Sequence, residues 1–224
     1  MGRIVSVLDR AEFIRANTRL QLVPAVPEIV LHLADEAVPL WQRTEEELEE
    51  IGLPPPFWAF AWAGGQALAR YVFDNPALTR DRRVLDLASG SGLVAIAAAK
   101  AGAAPVIASD IDRFAETAIA MNATANDAYV DVILRDFLDD LPATEPRYDV
   151  ILVGDLFYEQ ATAARALTFL ERHAAAGASV LIGDPGRSYL PKDRLSQIAE
   201  YRIPVTRELE DQEIKRTAVW TLQI

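Results

Sequence analysis

Five aspartates stand where short apolar runs end: Asp86, Asp110, Asp136, Asp155 and Asp184. The first closes Val84-Leu85-Asp86 and is followed by Leu87-Ala88-Ser89-Gly90-Ser91-Gly92-Leu93. Gly90 and Gly92 lack a Cβ, so the chain can turn sharply there and a ligand can approach its backbone. A helix that starts just after them points unpaired amides at the turn. Two ligand classes suit this arrangement. Gly90-x-Gly92-x-x-Ala95 fits a dinucleotide fingerprint with alanine in third place, and Asp110 follows about 20 residues on, as that fingerprint asks. Asp86 favours the other class. A carboxylate beside a pyrophosphate is repelled, whereas S-adenosylmethionine (SAM) carries an ammonium and a sulfonium and no phosphate. Asp86, Ser89, Gly90 and Gly92 then bracket the methionine amine. Asp110 is placed to accept from the ribose hydroxyls and Asp136 from the adenine amino group, with Ile111 and Phe137 against the base. NAD explains the same adenosine contacts. It does not explain Asp155-Leu156-Phe157-Tyr158 beside a fourth acidic strand end, and the pattern of these 224 residues predicts no second domain to hold a nicotinamide with its substrate.

These residues need a sheet to hold them on one edge. Val84 to Leu87 reads as a buried strand and Leu93 to Lys100 as a helix stopped by Gly102. The alternation continues with a strand from Pro105 to Ser109 and a helix from Arg113 to Asn126, striped by Phe114, Ala118, Met121 and Ala125. Strands at Val130 to Leu134, Tyr148 to Val153 and Ala178 to Ile182 follow, with a helix from Glu159 to Ala175 between the last two. A helix is expected near Lys192 to Ala199, then a closing hairpin of Tyr201 to Glu208 and Lys215 to Leu222. The pattern predicts an α/β fold: a doubly wound, mostly parallel seven-stranded sheet of Rossmann-like type with helices on both faces. Ligands in such sheets bind outside the carboxyl ends of the strands.

Residues 1–53 read as an N-terminal helical extension and 54–224 as the main domain. Asp9 can cap a first helix through Phe13, and Glu28 to Leu40 carries Ile29, Val30, Leu33 and Ala37 at helical spacing. Thr44-Glu45-Glu46-Glu47 fits a capping box, with Gly52 as its C-terminal stop. After Pro54-Pro55-Pro56 comes an aromatic run, Phe57, Trp58, Phe60 and Trp62, leading into Gly64-Gly65 and a helix from about Gly65 to Phe73. Trp62, Gly64 and Gly65 stand where free helix amides could meet the methionine carboxylate of SAM.

Composition narrows the classes further. The 224 residues are 51% hydrophobic and 25% charged, ordinary globular values. A net charge of −11 disfavours nucleic acid as partner. There is no cysteine for a disulfide, thiol nucleophile or thiolate site, and two histidines are too few for a histidine-based metal site. With neither an apolar leader nor a spanning run, the expectation is a cytoplasmic protein that needs no metal and no membrane.

The glycine turn resembles motif I of the class I methyltransferases, with Ala88 where many members have another glycine. The chain from about residue 54 to 224 is more specifically similar to the electron transfer flavoprotein β-subunit lysine methyltransferases. The resemblance rests on Pro55-Pro56-Phe57-Trp58-Ala59, Trp62-Ala63-Gly64-Gly65-Gln66-Ala67-Leu68, Val84-Leu85-Asp86-Leu87, Asn122, Asp155-Leu156-Phe157-Tyr158 and Ile182-Gly183-Asp184-Pro185-Gly186-Arg187. Ala63 replaces a proline expected of the family. The resemblance implies a SAM-dependent protein-lysine N-methyltransferase that releases S-adenosylhomocysteine, with the β subunit of electron transfer flavoprotein as its substrate. It places Asp155 and Tyr158 at methyl transfer, Asp155 also against the cofactor, and Phe157, Tyr158 and Asp184 against the substrate. The free lysine side chain has a pKa of about 10.4, and only its neutral form attacks. An aromatic funnel of Trp62, Phe157 and Tyr158 would favour that form by desolvation. A methyltransferase acting on another protein, such as a ribosomal protein, would share this fold and edge, and an NAD-binding oxidoreductase is the alternative from another class.

Overall fold

The structure, a computed structural model, describes residues 7–34, 55–139, 148–205 and 213–223. The chain opens with α1 (Val7–Asn17), then an antiparallel hairpin of β1 (Arg19–Val23) and β2 (Val26–Leu33). Asp9 lies within the first turn of α1 instead of capping it. The strand β2 corrects the helix expected from Glu28. Ile29, Leu31 and Leu33 are buried in alternation, a period of two that these apolar residues fit as well as they fit a helix. The deciding partner comes from elsewhere in the chain. Asn126 accepts from the Val30 amide at 3.0 Å and donates to the Val30 carbonyl at 2.6 Å, while Asn122 accepts from the His32 amide at 2.8 Å. Two side-chain amides one helical turn apart thus take the place of a neighbouring strand. Ala37, Leu40, the capping box at Thr44, the acidic run after it, Gly52 and Pro54 lie outside the described residues.

The described part of the extension packs onto the body. Ile14 packs with Trp58, Phe60, Ala115 and Ala118, and Val23, Ile29 and Leu31 pack with Ala69, Leu93, Ile96 and Ala97. Gln66 fastens the hairpin turn to the body, accepting from the Ala25 amide at 3.1 Å and donating to the Ala61 carbonyl at 2.7 Å.

The body follows the expected alternation. In chain order it comprises α2 (Ala63–Asp74), β3 (Val84–Leu87), α3 (Leu93–Lys100), β4 (Val106–Asp110), α4 (Arg113–Ala125), β5 (Asp131–Leu134), β6 (Val150–Gly154), α5 (Gln160–Ala175), β7 (Ser179–Asp184), β8 (Leu195–Pro204) and β9 (Ile214–Leu222). The sheet order is β5-β4-β3-β6-β7-β9-β8. Strands β3 to β7 are parallel, and β9 runs antiparallel to both β7 and β8. Every residue of β3 is buried, as befits a strand covered on both faces. The chain steps outward from β3 through β4 to β5 and then returns to lay β6 on the other side of β3. That reversal opens a crevice at the carboxyl ends of β3 and β6.

Two local expectations are corrected. Residues 192–199 are not a helix: one 3-10 turn (Lys192–Arg194) leads directly into β8. A register shift between Gln197 and Ala199 breaks the two-residue alternation that would have marked a strand. On α4 the buried face is Ala115, Ala118, Ile119, Asn122 and Ala123, rotated from the expected stripe, with Ala125 exposed. The stripe shifts because β2 and α1 also pack against α4, so Phe114 and Met121 belong to the cluster beneath α1.

Candidate active site

The crevice is a cleft of about 470 Å³, within the range of small-molecule sites. Its floor is the turn after β3. Ala88, Gly90 and Gly92 all have left-handed backbone, with φ of 54°, 57° and 83°. Only Ala88 carries a Cβ there, which disfavours that conformation by about 1–2 kcal/mol. Ala88→Gly is therefore expected to raise the unfolding free energy by about 1 kcal/mol, net of the added freedom of the unfolded chain. The melting midpoint should rise by about 3 °C; an unchanged midpoint would mean that the turn carries no strain.

Each strand-end aspartate has a distinct environment. Asp86 is 1% exposed; its Oδ2 accepts from the Ala95 amide at 3.0 Å and from the Ser89 hydroxyl. Burial pushes its pKa up to about 7, with the nearby Asp110 adding to the rise against the two hydrogen bonds. Asp110 accepts from the amides of Gly90 at 2.8 Å, Ile111 at 2.8 Å and Asp112 at 3.0 Å. Its burial also raises its pKa. Asp136 accepts from the Leu138 amide and from Arg165, both at 2.8 Å. Arg165 also binds Asp139 at 2.6 Å. Asp155 has φ 54°; it accepts from the Gly65 amide at 2.9 Å through Oδ2 and from the Arg187 guanidinium at 2.8 Å through Oδ1. Burial raises it to about 6, against the pull of Arg187.

The cleft brings together Trp62, Gly65, Asp86, Ser89, Gly90, Asp110, Ile111, Asp136, Phe137, Asp155 and Tyr158. It leaves out four residues that the sequence reading assigned to it. Phe157 is fully buried in the core under α5, because the side chain before Tyr158 points inward from the strand end. Asp184 is also fully buried; its Oδ1 holds the turn after β7 by accepting from the Gly186 and Arg187 amides at 2.7 Å. Gly92 packs against Ile119, where a Cβ would stand 3.1 Å from Cγ2. Gly64 faces the Gly183 carbonyl, where a Cβ would come within 2.2 Å. The Gly65 amide is likewise not free for a ligand carboxylate, since Asp155 occupies it.

Phe57, Arg165 and Glu159 are among the cleft residues that the sequence reading of the site did not include. Phe57 places its ring 5.5 Å from that of Tyr158 and 5.9 Å from that of Trp62, and its carbonyl accepts the Trp62 indole N–H at 3.0 Å. Arg165 and Glu159 also line the cleft. The aromatic run signalled Phe57. Nothing local marks Arg165 or Glu159, which read as the solvated side of a helix.

The donor set fits SAM. Ile111 is 66% exposed at the cleft, apolar surface that a base would cover. The buried Asp86 has no cation of its own among the described residues, and a ligand ammonium would supply one. Of the arginines that line the cleft, Arg165 and Arg187 are held by carboxylates, and Arg135 lies over the Phe137 ring at 5.1 Å from its centre. This fold and this cleft define a class I methyltransferase.

The comparisons refine the class. The family model described as ribosomal protein L11 methyltransferase (PrmA) matches residues 66–157. The mouse electron transfer flavoprotein β-subunit lysine methyltransferase is 37% identical over 199 residues, covering 87% of this chain and 76% of the relative. The human protein of that description is 34% identical over 220 residues, covering 94% and 81%. The chain belongs to the electron transfer flavoprotein β-subunit lysine methyltransferase family. Among solved structures, the fold resembles the ribosomal protein L11 methylase of Lactobacillus delbrueckii subsp. bulgaricus, with TM-score 0.51 and 20% identity over 74% of this chain and 81% of that one. It also resembles the magnesium protoporphyrin IX methyltransferase of Synechocystis with bound SAM, with TM-score 0.52 and 16% identity over 85% and 87%.

Proposed function

We propose that this enzyme transfers methyl groups from SAM to lysine side chains of the β subunit of electron transfer flavoprotein. The observation that carries the reading is the 37% identity to the mouse enzyme of that description across 87% of the chain. A ribosomal protein substrate is less well supported: an L11 methyltransferase of Exiguobacterium is 29% identical, and the match spans 55% of that relative.

SAM supplies an activated methyl group on a sulfonium, a good leaving group. The chain's own residues supply position and environment. Asp86, at the glycine turn, is suited to the ligand ammonium. Asp110 and Asp136 keep acceptor capacity for ribose and adenine, although amides and Arg165 already use part of it. Phe57, Trp62 and Tyr158 form an aromatic wall beside Asp155. A lysine entering there loses water, which favours its neutral, nucleophilic form. Alignment of the amine then accounts for most of the acceleration.

Transfer of labelled methyl from SAM, offered the flavoprotein and a cell extract side by side, tests the substrate. Label on the β subunit, mapped to lysine and undiminished by EDTA, is expected. Label only on another protein would discard the substrate and keep the chemistry.

Acidity gives a second test. A folded-state pKa near 7 means that folding favours protonated Asp86, so the stability it contributes is lost as pH rises from about 4 to 7. A bound ammonium favours the carboxylate instead. The ionised fraction falls about tenfold between pH 8 and pH 6, and affinity for S-adenosylhomocysteine should fall with it. Equal affinity by calorimetry at both pH values would remove Asp86 from the ammonium site.

A further inference from the structure

Of the carboxylates near the β6–β7 side of the cleft, Asp155 is paired, Asp184 is buried away from the cleft, and Glu159 is open. Asp155 is 9% exposed, with one oxygen on the Gly65 amide and the other on Arg187. Asp184 is fully buried beneath the turn it holds. Glu159 lines the cleft beside Tyr158 and is exposed. Among the described residues its side chain meets the Thr162 hydroxyl and no cation. It stands at the N-cap of α5 but accepts none of that helix's amides, so capping does not account for its carboxylate. It lies near enough to the Tyr158 phenol to help burial hold that group above its ordinary pKa.

We infer that Glu159, and not Asp155, receives the ammonium of the incoming lysine. This rests on the lysine-methyltransferase reading of the cleft. The site then presents a gradient of charge. Glu159 at the mouth attracts the cation. Deeper in, Arg187 lies 5.6 Å from the centre of the Trp62 ring and neutralises Asp155. A lysine that passes from Glu159 toward the aromatic wall leaves an anion and approaches apolar rings and an ion pair whose charges cancel. The lost anion and the desolvation both favour release of its proton to water before the methyl is transferred. Asp155 and Arg187 act as positioning residues in this arrangement, and Glu159 as a substrate-binding one.

Steady-state kinetics of Glu159→Gln with the flavoprotein β subunit test the assignment. The KM for protein substrate is expected to rise about tenfold, the worth of one charge-assisted hydrogen bond. The kcat, the KM for SAM and the melting midpoint should stay at wild-type values, and Glu159→Asp should recover part of the affinity. An unchanged protein KM would overturn the inference. So would a loss confined to kcat or shared with SAM. If the wild-type enzyme labels a different protein, the substrate reading fails alone, and the same variant measured on that protein still decides the role of Glu159.

Discussion

Alanine at Asp155 is expected to remove methyl transfer and about 3 kcal/mol of stability together. The Asp155 carboxylate joins three elements: the strand end of β6, the first turn of α2 through the Gly65 amide, and the loop after β7 through Arg187. Truncation leaves the Gly65 amide without its acceptor and removes the Asp155 carboxylate from Arg187, whose side chain is 20% exposed. Removing one partner of a largely buried pair costs about 3–5 kcal/mol, and the partial exposure of Arg187 puts this case at the lower end. The melting midpoint should drop by about 10 °C. Asp155→Asn keeps an acceptor for Gly65 but cannot neutralise Arg187, so it should fall between the two. Denaturant unfolding and methyl transfer measured on the same preparations decide the matter. Wild-type stability with activity lost would place Asp155 directly on the substrate and count against the role given to Glu159.

Gly64→Ala should be at least as damaging, for a steric reason. The added Cβ would lie 2.2 Å from the Gly183 carbonyl oxygen and 2.5 Å from Asp155 Oδ2. The first neighbour is backbone in the middle of the sheet and cannot yield cheaply. Helix α2 would have to lift from β7, opening the core that Ala63, Ala67 and Leu68 share with Leu181. A loss of about 4 kcal/mol is expected, at the extreme of single substitutions. Gly65→Ala offers the contrast: its Cβ would meet only the ends of Leu93 and Val94 at 3.8 and 3.9 Å. Equal midpoints for the two variants would show that close packing of Gly64 is not what the glycine pair provides.

The strand-turn-helix units were legible because each is encoded locally. Val84 to Leu87 and Leu93 to Lys100 carry their own apolar pattern and their own glycine turn, and both elements have the expected ends. The hairpin at residues 19–33 was not legible, because its partner is a pair of asparagines about 90 residues away. The start of β8 was hidden by its bulge. The Gln66 and Asn122 of the family-like motifs turned out to fasten the N-terminal hairpin and the glycine turn; Asn122 donates to the Ser91 carbonyl at 2.8 Å. Their spacing in the chain says nothing of that role.

By itself the sequence determined the order of elements from α2 to β7, the acidic edge of the sheet and the family. A strand's end, a turn glycine and an apolar period are properties of neighbouring residues, and an aspartate after a strand must emerge at the sheet's carboxyl edge. Tertiary structure decided which of those aspartates meets the cleft and which holds the frame. Asp86 and Asp110 face the cleft, Asp184 turns inward, and Asp155 is committed to Arg187 and α2. That division depends on what packs against each carboxylate from distant parts of the chain. Burial, a helix amide or a guanidinium sets the charge and freedom of a carboxyl group, and none of these is written in the residues beside it.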